Sequence, residues 1–175
     1  MIVREVRPEE HDALGALTVA AYRALLGPDM DAGYAEELAA VARRAALVAI
    51  LVAVDGDARL VGGITYIPGP GPMAWFTGAG EAGMRMLAVD PAAQGRGAGA
   101  LLVAACIKRA QTAGKTRLLL HTTEPMTVAH RLYERAGFHR DPANDEVLDG
   151  GLLLLGYARD LGGRVEPPRP GGGIG

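Results

Sequence analysis

The chain holds a single cysteine, Cys106, among its 175 residues. An internal disulfide is therefore excluded, and a reducing, cytoplasmic setting is expected. Aromatic residues make up only 5% and charged residues 22%, with a formal net charge of −2. So even a balance supplies no global field for nucleic acid or an anionic membrane, and neither is expected as a partner. Long apolar runs are also missing. The longest, Ala45 to Val54, is too short to cross a bilayer as a helix and reads as a buried strand. The opening Met1-Ile2-Val3-Arg4-Glu5 has no apolar stretch behind a basic start, so no export signal is expected. His121 and His130 stand outside any cluster with metal-ligand spacing, so no metal is expected. No internal repeat is visible.

What is present is a chain that is 49% hydrophobic and long enough to bury one core. One domain is expected over residues 1–165, followed by a Pro/Gly-rich tail, 166–175, that cannot build a core. Ile2 to Val6 alternates apolar and charged residues and predicts a first strand. Pro8, Glu9 and Glu10 are helix-start chemistry, and Leu14, Leu17, Ala21 and Leu25 share one helical face ended by Gly27-Pro28. Asp31 can cap a second helix carrying Tyr34, Leu38 and Val41. Two β-branched runs, 46–54 and 59–67, flank Asp55-Gly56-Asp57-Ala58 and predict a hairpin. Further along, strands are predicted at 84–89, 117–122, from Phe138 and over 151–157, with helices over 98–112 and 125–136. The fold class is α/β (α+β): a mixed sheet with helices packed on it.

The segment Gln94-Gly95-Arg96-Gly97-Ala98-Gly99 joins the strand at 84–89 to the helix after it. A Gly-rich turn there aims several unbonded amides, at the positive end of a helix, toward one point. Such an end suits pyrophosphate, and glycine keeps side chains out of the way. A dinucleotide fingerprint needs G-x-G-x-x-G, whereas these glycines fall at 95, 97 and 99. Gly114-Lys115-Thr116 suggests a phosphate loop, but its first glycine would be Arg109 and a strand comes after it, so this is discarded. Taken alone, the turn could equally be structural.

It does not stand alone. Arg85 to Gly99 closely resembles the acetyl-CoA-binding motif of the GNAT superfamily of N-acetyltransferases, whose core Gln/Arg-x-x-Gly-x-Gly/Ala is met by Gln94, Gly97 and Gly99. Ala129-His130-Arg131-Leu132-Tyr133-Glu134-Arg135-Ala136-Gly137-Phe138 resembles the late helix of the same family and the Gly-Phe after it. The resemblance implies a mostly antiparallel sheet of about seven strands with about four helices, split between the strands at 84–89 and 117–122. It implies that the backbone of Leu87, Ala88 and Val89 bonds the pantetheine arm, and that an amide of Val89 or Leu87 meets the acetyl carbonyl. It implies that the amides of Gly95, Arg96, Gly97, Ala98, Gly99 and Ala100 hold the pyrophosphate, with Gln94 opening the motif. Tyr133 matches the tyrosine that protonates the leaving thiolate; the plainer alternative is a half-buried packing residue. Met126 stands where many members carry an asparagine on the pantetheine arm.

An amine acceptor arrives protonated, so a base is needed. Glu81 is the candidate, because in an extended strand it shares a face with Gly83, Arg85 and Leu87; a solvated loop glutamate is the alternative. Trp75 and Phe76 either grip a substrate or anchor their Gly/Pro-rich loop to the core. The implied reaction moves an acetyl group from acetyl-CoA to an amine, through a tetrahedral intermediate formed by direct attack. The acceptor would be a small molecule or a protein N-terminus, and a homodimer is compatible. The alternative is a non-catalytic acyl-CoA sensor of the same fold.

Overall fold

The structure, a computed structural model, describes residues 1–162. The proposed tail, 166–175, lies outside them. Strand β1 (Ile2–Glu5) leads through a short 3-10 turn at Pro8–Glu10 into helix α1 (His11–Leu26). The Glu10 carboxylate fastens this entry. It accepts two bonds from the Arg4 guanidinium, at 2.8 and 2.6 Å, and one from the Arg7 amide at 2.9 Å. Asp31 caps α2 (Ala32–Ala39) by accepting the Tyr34 amide at 2.9 Å. The single helix expected through Val41 breaks at Ala40, where ψ is 54°, and α3 (Val41–Ala45) begins there. The break has a physical cause. The buried Arg44 guanidinium donates to the carbonyls of Glu37 and Leu38, terminating α2.

Strands β2 (Ala49–Val54) and β3 (Leu60–Ile67) form the predicted hairpin. Asp55 organises its turn by accepting the amides of Asp57 and Arg59, both at 3.0 Å. Then come β4 (Glu81–Val89), α4 (Ala98–Thr112), β5 (Arg117–Thr122), α5 (Thr127–Arg135), β6 (His139–Arg140), β7 (Glu146–Val147) and β8 (Leu153–Asp160). Among the described residues the eight-stranded sheet runs β1-β2-β3-β4-β5-β8-β6, with β7 on β8, and only β4–β5 is parallel. Strand and helix numbers thus slightly exceed the seven and four expected from sequence, because two-residue β7 and five-residue α3 carry too little pattern to read.

Alternation along the strands divides the core between two faces. Leu51 and Ala53 pack with Leu102, Val103 and Cys106 of α4, while Ile50, Val52 and Val54 pack with Leu14 of α1 and Val41. Gly63 admits α1: a Cβ there would lie 2.6 Å from Leu14 Cδ1.

Strand β4 departs from a regular ladder in two ways. First, β4 and β5 pair only from Glu81↔Arg117 to Met84↔Leu120, and then part. Second, a β-bulge against β3 sets Met86 at φ +54°, between the pairs Thr65↔Arg85 and Gly63↔Ala88. The extra residue exchanges the faces of β4. Ala82 and Met84 pack on the α4 side before the bulge, and Leu87 and Val89 do so after it. Glu81 and Leu87 therefore do not share a face, contrary to the expectation from simple alternation.

Candidate active site

The parting of β4 and β5 opens a cleft of about 650 Å³. One end is closed by the turn into α4. Gly95 and Gly97 have φ of +77° and +88°, the left-handed region that only glycine enters without strain. Ideal Cβ atoms at either would meet nothing within 4 Å, so both face open space. Gly97 is the N-cap of α4, and no side chain caps this helix. The first helical bond runs from the Leu101 amide to the Gly97 carbonyl at 3.1 Å, which leaves Ala98, Gly99 and Ala100 with amides lacking a helical acceptor. No acidic residue lies in the first turn. Gly99 serves packing instead. Its Cβ would stand 3.3 Å from Leu132 Cδ2, so glycine lets α4 approach α5.

Residues Leu87, Ala88, Val89, Gln94, Gly95, Gly97, Ala98, Gly99, Ala100 and Tyr133 all line the cleft, as does Met126. Arg96 is exposed and does not line it. Beyond Met84 the β5-facing edge of β4 has no strand partner among the described residues, so the backbone from Arg85 to Val89 is open to an extended ligand. Tyr133 is buried on α5, edge-on to Phe138 at 6.0 Å. Burial raises its phenol pKa, so the hydroxyl keeps its proton at neutral pH and can donate it.

Glu81 is elsewhere. It sits at the paired start of β4, roughly 20 Å along the strand from Leu87 at the usual rise per residue. Its carboxylate accepts Arg117 at 3.3 Å and the Gly78 amide at 3.2 Å, and it does not line the cleft. Of the loop aromatics, Phe76 is buried with Ile67 and Leu119, which is an anchoring role. Trp75 packs on Phe76 at 5.2 Å and stacks with His121 at 4.9 Å.

His121 stands on β5 just past Leu120, where pairing with β4 ends, and it lines the cleft. Its Nε2 lies 2.6 Å from the Asn144 carbonyl oxygen. A carbonyl only accepts, so Nε2 bears the hydrogen and, in the neutral ring, Nδ1 keeps its lone pair. Nδ1 is 3.8 Å from Glu146 Oε2. Tyr22 of α1 and Tyr34 of α2, edge-on at 6.0 Å, also line the cleft, as does Arg85, whose guanidinium lies over Trp75 at 5.8 Å. Sequence reasoning considers His121 only as a metal ligand and gives Tyr22 no role. The available signal is local: a polar residue directly after the apolar run Leu118-Leu119-Leu120.

Among the described residues no group of three or more His, Cys, Asp or Glu is placed to hold a metal, and no helix is long and apolar enough to cross a membrane. No curated protein matches the sequence. Solved structures match over nearly the whole chain. A GNAT-family acetyltransferase from Staphylococcus aureus Mu50 is 16% identical with a TM-score of 0.71, covering 91% of this chain and 98% of its own. YncA of Salmonella typhimurium, solved with its cofactor acetyl-CoA, is 20% identical with a TM-score of 0.68, covering 97% and 99%. A ribosomal-protein-alanine N-acetyltransferase from Brucella melitensis is 20% identical with a TM-score of 0.66, covering 92% and 100%. These likenesses establish the fold. The model of the acetyltransferase (GNAT) family matches residues 14–138, which include the parted strands, the α4 turn and Tyr133, and the chain belongs to that family.

Proposed function

We propose that this protein transfers the acetyl group of acetyl-CoA to an amine. The observation that carries this reading is one arrangement. The unpaired edge of β4 runs directly into the uncapped N-terminus of α4, with left-handed Gly95 and Gly97 between them. An extended arm can bond the strand edge while its pyrophosphate meets the amides of Gly95 to Ala100.

Acetyl-CoA as co-substrate would supply an activated thioester, whose carbonyl carbon accepts the amine's lone pair first and releases sulfur when the resulting adduct collapses. The chain supplies the rest. An amide of Leu87 or Val89, re-aimed by the Met86 bulge, stabilises the carbonyl oxygen as it becomes negative. The ammonium gives its first proton to solvent, and His121 Nδ1 takes the second, which the amine loses as the amide forms. Tyr133 gives its hydroxyl proton to the departing sulfur. The products are the N-acetyl amine and free CoA thiol, and the two proton transfers leave a phenolate and an imidazolium for solvent to reset. His121 replaces Glu81 as base, because it lines the cleft and Glu81 is tied to Arg117.

Calorimetry with acetyl-CoA and a thiol-release assay across an amine panel test the proposal. Saturable binding with acceptor-dependent CoA release supports it. Binding with no release from any amine favours a sensor, and no binding refutes both readings.

A further inference from the structure

The acceptor end of the cleft has a charge character of its own. Among the described residues lining the cleft there is no aspartate or glutamate. A site for a polycation, such as an aminoglycoside or a polyamine, needs carboxylates to offset each ammonium it desolvates. Here the charged side chain beside the aromatic wall is Arg85. It is exposed, lines the cleft, is stacked over Trp75, and among the described residues hydrogen-bonds only the Met73 carbonyl, at 3.5 Å. No carboxylate pairs with it among the described residues.

Two phenols share the lining with Arg85. The Tyr22 and Tyr34 phenols have pKa values raised chiefly by burial; the Glu37 carboxylate raises Tyr34 further, and Arg85 opposes the rise at both. Both phenols therefore stay protonated and act as hydrogen-bond donors. Arg85 and the two phenols line one cleft, and among the described residues no carboxylate pairs with the guanidinium. A planar guanidinium fork matches a carboxylate in two parallel bonds.

We propose that the acceptor is a small amine bearing its own carboxylate, an amino acid, whose carboxylate binds Arg85 while its amino group faces His121. The same geometry selects against polycations and against peptide N-termini, whose first carbonyl is an uncharged amide. This rests on the acetyltransferase reading above.

The test compares free amino acids with their carboxamides, and with spermidine and an aminoglycoside, in the CoA-release assay. Amino acids are expected to exceed their carboxamides in kcat/KM by at least thirtyfold. In Arg85→Gln that preference should collapse to within about threefold, mainly through a higher KM for the amino acid. Acetyl-CoA affinity, measured by calorimetry, monitors the integrity of the fold and of the donor site. If wild-type protein turns over carboxamides or spermidine as well as amino acids, the acceptor proposal falls and the acetyltransferase reading stands. If Arg85→Gln keeps the full preference, the carboxylate is held elsewhere and the role of Arg85 is refuted. If acetyl-CoA does not bind, the acetyltransferase reading falls and takes this one with it.

Discussion

Helix α4 offers a matched pair of substitutions that separates backbone strain from ligand binding. Gly97 begins the helix at φ +88°, and Gly114 lies just past its end at φ +69°. A Cβ at either position would meet no atom within 4 Å. Gly97→Glu and Gly114→Glu therefore carry the same left-handed penalty, about 1–2 kcal/mol, with no clash. The helix dipole then divides them. A carboxylate at the N-terminus recovers about 0.3–1 kcal/mol, while one at the C-terminus loses a similar amount. The unliganded Gly97→Glu protein should lie about 1 kcal/mol below wild type and Gly114→Glu about 2 kcal/mol below it. In a chain of this size these correspond to Tm losses of about 2–4 °C and 4–8 °C. Affinity should run the other way. Gly97→Glu sets a carboxylate where the pyrophosphate of acetyl-CoA is expected, so calorimetry should show at least a tenfold loss, about 1.4 kcal/mol. Gly114→Glu, at the far end of the helix, should bind like wild type. The decisive result is this crossing, in which the less destabilised variant is the one that loses the ligand. A folded Gly97→Glu protein whose affinity stays within threefold of wild type would refute the pyrophosphate site.

Tyr133→Phe keeps the buried ring and removes the proton donor, so kcat and kcat/KM should fall together by roughly 10²-fold with acetyl-CoA affinity nearly unchanged; wild-type turnover would make Tyr133 a packing residue. His121→Gln should lower kcat by a similar factor of about 10² without loss of acetyl-CoA binding, and an unchanged rate would leave proton removal to water. Glu10 has its pKa lowered to about 2, mainly by its hydrogen bonds from Arg4. Its contribution to stability is therefore present above the unfolded carboxylate pKa, about 4.3, and is lost as pH falls toward 2. Glu10→Gln should lower Tm at pH 7, and the gap from wild type should close on acidification; a gap that persists at pH 2 would show that the side chain acts through packing.

Much of the site is legible in the chain because it is local. Gln94 to Ala100 is one contiguous turn whose donors are its own backbone amides, so residue type and spacing suffice to describe it. Tyr133 is legible for a related reason: its helix, with Gly137-Phe138 after it, is continuous in sequence. The base is not. Alternation places Glu81 and Leu87 on one face, and a single extra residue at Met86 exchanges the faces of β4. A bulge is a matter of register against a neighbouring strand, and nothing in Gly83 to Val89 announces it.

The sequence by itself determined the hairpin turn at Asp55, the order of the main elements, and the glycine turn that presents amides at the start of α4. Each depends on interactions within a few residues or on a periodic pattern. Only the tertiary structure decided where β4 and β5 part, that Glu81 would pair with Arg117, and that Tyr22, Tyr34, Arg85 and His121 would line one cleft. Those residues come from α1, α2, β4 and β5, and their meeting depends on strand pairing and helix packing between segments far apart in the chain. Short-range propensity and periodicity carry no record of such pairings.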